Sequence, residues 1–502
     1  MSRSFFILSI LVMFAAAARS DVFIPADCSI LNYRIIPFSV PAIHDATSYT
    51  FEIAHGYLET DALFQANRIL QTTVKRPKAI IQVPDFGSSY TWRVIYHTAK
   101  GNRYGSLHYF ETGILSDKQW LLDVTINARD KNDDYVFLDG SRELYDMNGH
   151  SVWYLPNIEG ISASVRDLKF TKLGTITFIS GTTLYEIDWN GNVLWKSPQA
   201  TTGNEGDQYK FHHDFVRLKN GNYMALGTSA ITIPLPGAND PNSGSASPLP
   251  VSVPKNLKKF NAGTVEELNK NGKIIWSWNS LDYFLHSDVI NCTPDSITGE
   301  IDTHENAFYF DEEHSVIYVG FKNIGRILKI KYPEKEILAV YGAKFSREVA
   351  PDDYLFNDQH GLLLTKNGDL CVFDNNAIHK GNLPKIIMFK ETGGQNSQLV
   401  VDWEFQCTVE DDKHKSFGQG GNVVELNDGS LLVCMGSNYG KTFIIDKQGK
   451  VLWSALPKWS DGIENGAPHC VPQYRANIIQ GKKQLEQLIW SAQNSVNNKL
   501  PM

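Results

Sequence analysis

Hydrophobic and polar positions alternate along most of the chain with a period of two, the pattern of strands that bury one face. Between residues 21 and 113 the segments "SYTFEIAHG", "KAIIQVP", "YTWRVIYHT" and "GSLHYFETG" alternate in this way between turn residues. They predict a small N-terminal β-sandwich, fibronectin III-like in its Tyr-Thr-Trp-Arg-Val stretch and closing Glu-Thr-Gly. From residue 114 onward a longer unit recurs: an apolar pair, a polar turn, then apolar residues often ending in tryptophan. It stands in "LYDMNGHSVWYL" (144–155), "LYEIDWNGNVLWK" (184–196), "VEELNKNGKIIWSW" (265–278), "ILKIKYPEKEILAVYG" (327–342), "IIMFKETGGQNSQLVVDWEF" (386–405) and "FIIDKQGKVLWSA" (443–455). Each copy reads as a β-hairpin around Asn-Gly or a related turn.

Between these hairpins lie others: "VRDLKFTKLGTITFIS", "HHDFVRLKNGNYMALG", "HENAFYFDEEHSVIYVGF", "HGLLLTKNGDLCVFDN" and "GGNVVELNDGSLLVCMG". Paired inner and outer hairpins make four-stranded units, and six such units predict an all-β, six-bladed β-propeller. A last strand, "YRANII" (474–479), is placed to pair with the first blade. Residues 231–254 read as a Pro/Ser/Gly loop over one mouth of the channel. Leu485, Leu488, Ile489, Ala492 and Val496 recur at helical spacing and predict a docked tail helix.

The domain boundaries that follow are a signal peptide over 1–20, the sandwich over 21–113, the propeller with its site over 114–480, and a helix and tail over 481–502. The leader is read from one arginine, the run "FFILSILVMFAAAA" and small residues at Ala18 and Ser20, with cleavage near Ser20. It predicts a secreted, periplasmic or secretory-lumen protein. No other apolar run reaches the roughly 18 residues that span a bilayer. A net charge of −8 and the absence of Lys/Arg runs argue against nucleic-acid binding. Six cysteines are too few to be the main scaffold; Cys371 and Cys434 read as buried strand residues.

The candidate chemistry comes from the repeat. Counting eight residues back from the turn glycine of each inner hairpin gives Arg166, His213, His360 and Gly421, and the matching position of the "DEEH" hairpin is His304. His469 in "GAPHCV" offers a further histidine without a turn glycine to set its phase. Each position begins an innermost strand, so repetition converts one sequence phase into a ring at one end of the channel. Hairpin arithmetic places Lys322 opposite His304 and Asn375 opposite His360, and Asn306 shares a strand face with His304. Such a ring fits two chemistries: an anion site with a nucleophilic imidazole, or a metal held by neutral imidazoles. The lysine and arginine would repel a metal cation and favour the anion site. Asp214 and Glu305 follow His213 and His304 but are expected on the opposite strand face. A third reading is a propeller that binds an anion without turnover.

The segments "HENAFYFDEEHSVIYVGFKNIGRILKI", "YGAKFS", "FNDQHGLLLTKNGDLCVFDN" and "HHDFVRLKNGNYMAL" resemble the PAPS-independent arylsulfate sulfotransferases. The resemblance covers most of residues 140–480 and is strongest over 300–376. It implies a small β-sandwich before a six-bladed propeller, a homodimer, and ping-pong transfer from an aryl sulfate donor to a phenolic acceptor without a diffusible cofactor. By resemblance His360, in Gln-His followed by "VFDN", is the nucleophile that becomes sulfohistidine. His304 and Asn306 fall on the family's His-x-Asn element, and His212 and His213 on its HHD-type element, with phase favouring His213. Lys322 stands where the family has arginine; it keeps the charge but lacks the bidentate fork.

Overall fold

A computed structural model of the chain describes residues 23–115, 120–129, 133–161, 164–198, 210–234, 257–283, 301–342, 355–376, 383–394, 397–408, 419–436, 439–459 and 471–497. The expected leader and His469 lie outside these residues. The chain divides into two compact units, residues 1–113 and 114–502.

In the first unit, Ser29–Leu31, His108–Thr112, Ser89–Thr98, Ala46–His55 and Arg68–Val74 form one sheet in that order, with Gly101–Tyr104 beside Ser89–Thr98; Ile35–Ser39 and Lys78–Gln82 form a second. The alternation read from sequence supplies the buried face. Phe38 of the small sheet meets Trp92, Phe51 and Phe110 of the large one at ring separations of 5.0, 5.9 and 6.0 Å. These rings are essentially solvent-free, and burying each contributes a few kcal/mol, roughly 1.5–3.

The second unit is almost entirely β among its described residues, in six sheets of four or five strands, antiparallel except where Ile301–Asp302 runs parallel to Leu257–Leu268. Five of them begin with inner strands that we label β1 (Val165–Phe170), β2 (Lys210–Arg217), β3 (Glu305–Asp311), β4 (Gln359–Leu364) and β5 (Asn422–Glu425). The remaining sheet takes its inner strand from the far end of the chain: β6 (Ala476–Ile479) pairs with Tyr135–Leu138, Leu138 opposite Ala476. Neighbouring inner strands run side by side from β1 through β6, and β6 lies beside β1, so adjacency returns to its start.

One polar side chain from each sheet joins it to the backbone of the next. Asp139 accepts from Asp167 N (3.0 Å), Asp167 from Phe215 N (3.3 Å) and Asp214 from Phe308 N (3.4 Å). Asn306 donates to Gln359 O (2.8 Å), Asn375 to Gly420 O (3.1 Å) and Asn422 to Ala476 O (2.9 Å). At the centre Arg475 is buried, with Nη1 3.1 Å from Asp167 and 2.7 Å from Asp214, and Nη2 donating to Asn306 O at 3.1 Å. Lys169 completes the group at 2.7 and 2.8 Å from the same two carboxylates.

Two expectations need correction. Residues 231–234 are strand rather than loop: Tyr223–Pro234 pairs with Leu257–Leu268 along its whole length, because Ile231, Thr232 and Ile233 are strong strand formers. The remainder of that predicted loop, 235–254, lies outside the described residues. His360 pairs with Phe373, not with Asn375, because the hairpin centres on residue 367 and the ladder slips one residue more between His360 and Leu362. The tail helix forms over Gly481–Asn497 and buries Leu485, Leu488, Ile489 and Ala492. Cys371 and Cys434 are buried thiols; Cys28 and Cys407 are also unpaired.

Replacing Arg475 by leucine leaves Asp167 and Asp214 buried with only Lys169 to balance them. Loss of one partner from such a group costs about 3–5 kcal/mol. Denaturant unfolding of Arg475→Leu should show a loss of that size, and an unchanged midpoint would show that the buried guanidinium does not hold the sheets.

Candidate active site

The inner strands place their first residues by means of backbone that turns against the ordinary strand. His213 (φ 61°) and His304 (φ 56°) adopt the left-handed conformation, and in β1 and β4 the next residue does so instead, Asp167 (φ 58°) and Gly361 (φ 61°). The ladder shifts register at each of these points. A bulge of this kind re-aims the side chain that follows it. At β5 the equivalent is Gly421 (φ 100°), where an added Cβ would stand 2.1 Å from the Phe373 ring, so only glycine fits.

Three of the phased positions converge. The rings of His213 and His304 lie 5.0 Å apart, nearly edge to face. His360 feels the charge of His304 and of Lys322, and His213 that of His360 and Arg166. Arg166 is exposed and lays its guanidinium over the Tyr474 ring at 5.3 Å. Lys322 is joined to His304 through its backbone, N to O at 2.9 Å, as the hairpin arithmetic requires, and its Nζ is 3.7 Å from Asp358.

His360 is held on one side. Its Nδ1 lies 3.0 Å from Asp358 O and 2.7 Å from Asn375 Nδ2. The Asn375 amide also reaches Asp358 O and Gly420 O, each at 3.1 Å. Asp358 O can only accept, so the His360 nitrogen that meets it, Nδ1, carries the proton and Nε2 the lone pair; the Asn375 amide, its hydrogens given to the two carbonyls, packs against Nδ1 as a contact and not as a hydrogen bond. Asn375 thus reaches His360 by its side chain although the two are not paired. Asn306 is fully buried and fixes Gln359, the residue before His360, while its Oδ1 has no partner.

His304 is anchored by Asp302, whose Oδ1 accepts from His304 N at 2.7 Å and whose Oδ2 is 3.4 Å from Nδ1. Burial pushes the Asp302 carboxyl up, yet these contacts outweigh it and hold it below the ordinary range. His212 turns away from the ring centre toward Thr228 (2.7 Å) and Glu305 (3.1 Å) while touching His213 through Nδ1 at 2.7 Å. Glu305 thus meets His212, the residue beside His213 that turns away from the ring centre.

Tyr474 was not singled out from the sequence. Its ring stands 6.0 Å from His213 and 6.4 Å from His360, and its hydroxyl is buried without a hydrogen-bond partner. The signal available was its place two residues before β6, the strand that completes the inner set. Among the described residues no three His, Cys, Asp or Glu groups converge as a metal would need.

A model of the family described as Arylsulfotransferase (ASST) matches residues 131–241 and 251–405, more than half of the chain. The chain belongs to the arylsulfotransferase family. The matched spans contain Arg166, His212, His213, His304, Asn306, Lys322, His360 and Asn375; Tyr474 and Arg475 lie beyond them. No curated protein sequence matches. Solved structures similar to the chain include a protein provisionally named 6-phosphogluconolactonase from Bacteroides uniformis (12% identity, TM-score 0.35, covering 77% of this chain and 95% of that one). Others are apo AztD from Citrobacter koseri (8%, 0.31, 87% and 99%) and a DUF4784 family protein from Bacteroides caccae (9%, 0.29, 90% and 97%). Likeness at this level carries no argument about the site.

Burial, with His212, His304, His360 and Arg166 behind it, holds His213 well below the ordinary histidine range. Burial and then Lys322 do the same to His360. The unfolded chain takes up these protons near pH 6.5, so the stability they carry is full above that pH and lost as pH falls. Each adds up to about 1.4 kcal/mol per pH unit. Asp139 and Asp374, pushed by burial to about 6 and about 7, act in the opposite direction. Unfolding free energies of wild type and His360→Gln, measured from pH 7 to 5, should therefore draw together toward acid; parallel curves would contradict a buried neutral His360.

Proposed function

We propose that the second unit is a six-bladed β-propeller and that its inner-strand histidines transfer a sulfuryl group from a phenolic sulfate ester to a phenolic acceptor. The observation that carries this reading is His360: a buried, neutral imidazole, gripped at Nδ1, with the Lys322 cation alongside. Family membership supports an aryl sulfotransferase at the level of the family. The chain of neighbouring inner strands that returns to its start supports the propeller.

In the first step the Nε2 lone pair of His360 attacks sulfur, the bond from sulfur to the aryl oxygen breaks, and that oxygen leaves with the electron pair. In the second the acceptor oxygen attacks the sulfuryl group on His360, and the sulfur–nitrogen pair returns to Nε2. Splitting the transfer in two lets one site serve donor and acceptor in turn. Lys322, His304 and His213 face the sulfuryl oxygens and oppose the charge that grows on them, inside a desolvated pocket where such contacts are strong. Asn375 and Asn306 orient His360, and Arg166 sits outermost, where an incoming anion meets it. His212 acts through His213. The chain would work outside the cytosol after cleavage near Ser20.

Purified protein should release the chromophore of an aryl sulfate continuously only when a phenol is added, and His360→Ala should reduce that release to background. Phenol-dependent release from a folded His360→Ala protein would place the nucleophile elsewhere.

A further inference from the structure

Behind His213 and His212 stands a carboxylate, Glu305, that the transfer just described does not use. Glu305 Oε1 is 3.1 Å from His212 Nε2, and His212 Nδ1 is 2.7 Å from His213 Nδ1. Glu305 is buried and, among the described residues, its Oε2 has no hydrogen-bond partner. A buried carboxylate oxygen left unpaired calls for a functional account. The neighbouring strand makes room for it: a Cβ on Gly263 would stand 2.0 Å from Oε2.

The hydrogens follow from the partners. An ionised Glu305 only accepts, so His212 carries its proton on Nε2 and presents a lone pair at Nδ1. The short contact to His213 then requires the His213 proton on Nδ1, which leaves His213 Nε2 bare. We infer that Glu305 and His212 form a relay that makes His213 the base for the acceptor hydroxyl, an inference that rests on the transfer reading above. The acceptor proton passes to His213 Nε2 as the acceptor oxygen bonds to sulfur, the sulfur–nitrogen bond to His360 breaks, and its electron pair returns to His360. The imidazolium so formed is balanced through His212 by the Glu305 carboxylate and later loses its proton to water.

The surroundings explain why such help is needed. His213 faces His212, His304, His360, Arg166 and Tyr474, and all the charged forms among the first four oppose a proton on it. Left to these neighbours His213 would be a weak base for a phenol. On the far side His212 faces Thr228, Glu305 and Glu266, and Glu305 also faces Asp302, so negative charge reaches His213 from this side through His212. Glu305 and His212 are positioning residues; His213 is the group that meets substrate.

The test separates the two half-reactions of the full chain by stopped flow, reading the burst of phenol released from an aryl sulfate and then the discharge of the enzyme by added phenols. Glu305→Gln and Gly263→Ala, which displaces the carboxylate without removing it, should slow discharge on the order of 10²-fold and slow the burst far less. The deficit should be greatest for weakly acidic phenols and small for a nitrophenol already ionised. Equal slowing of both steps, or a deficit independent of acceptor acidity, would overturn the relay and leave the transfer intact. Absence of any burst in wild type would overturn the transfer reading instead. The relay is then judged by nitrogen NMR of labelled histidines: His213 protonated at Nδ1 in wild type and altered in Glu305→Gln supports it, and no difference overturns it.

Discussion

A guanidinium buried among four sheets is the contact on which the second unit depends. Arg475 leaves the start of β6 and meets Asp167 from β1, Asp214 from β2 and the Asn306 carbonyl from β3. Its own backbone N–H donates to Asp139, which bridges to β1. Burial pushes Asp214 toward neutrality, but Arg475 and Lys169 overcome it and keep that carboxyl charged below its ordinary range. A cation in this position cannot move without exposing two buried charges, so the strand starts are fixed against one another. The side-chain bridges from sheet to sheet carry the same constraint around the remaining strands.

That rigidity lets the backbone hold conformations it would otherwise avoid. His213 and His304 both sit at positive φ, which costs a residue with a Cβ about 1–2 kcal/mol. Held this way, their rings meet edge to face instead of following the strand into solvent or core. The fold thus supplies desolvation and angle, and the side chains supply the chemistry. Neutral histidines at the centre and cations at Lys322 and Arg166 give an anion somewhere to bind and a lone pair to react with.

Much of this was legible in the chain itself. A fixed phase before each turn picked out His213, His304 and His360 because a repeated sheet turns sequence phase into spatial position. The same arithmetic placed Lys322 beside His304, because the turn centre it used matches the register beyond the slip, where Glu305 pairs with Phe321. It failed for Asn375 because the turn centres on residue 367, half a residue before the centre assumed, and the ladder then slips one residue further at the left-handed Gly361. Tyr474 and Arg475 escaped notice because they belong to the last strand, which has no hairpin of its own from which to count. Their importance comes from contacts far away in the chain, such as Arg475 with Asp167, 308 residues before it.

The central claim is that His360 carries the sulfuryl group between donor and acceptor. The most direct measurement is the intact mass of the protein after exposure to an aryl sulfate with no acceptor, followed by peptide mapping under conditions that preserve phosphoramidate-like bonds. The mass should rise by one sulfuryl group, the group should map to His360, and added phenol should remove it. No gain in mass, or a stable gain on any other residue, would contradict transfer through this histidine.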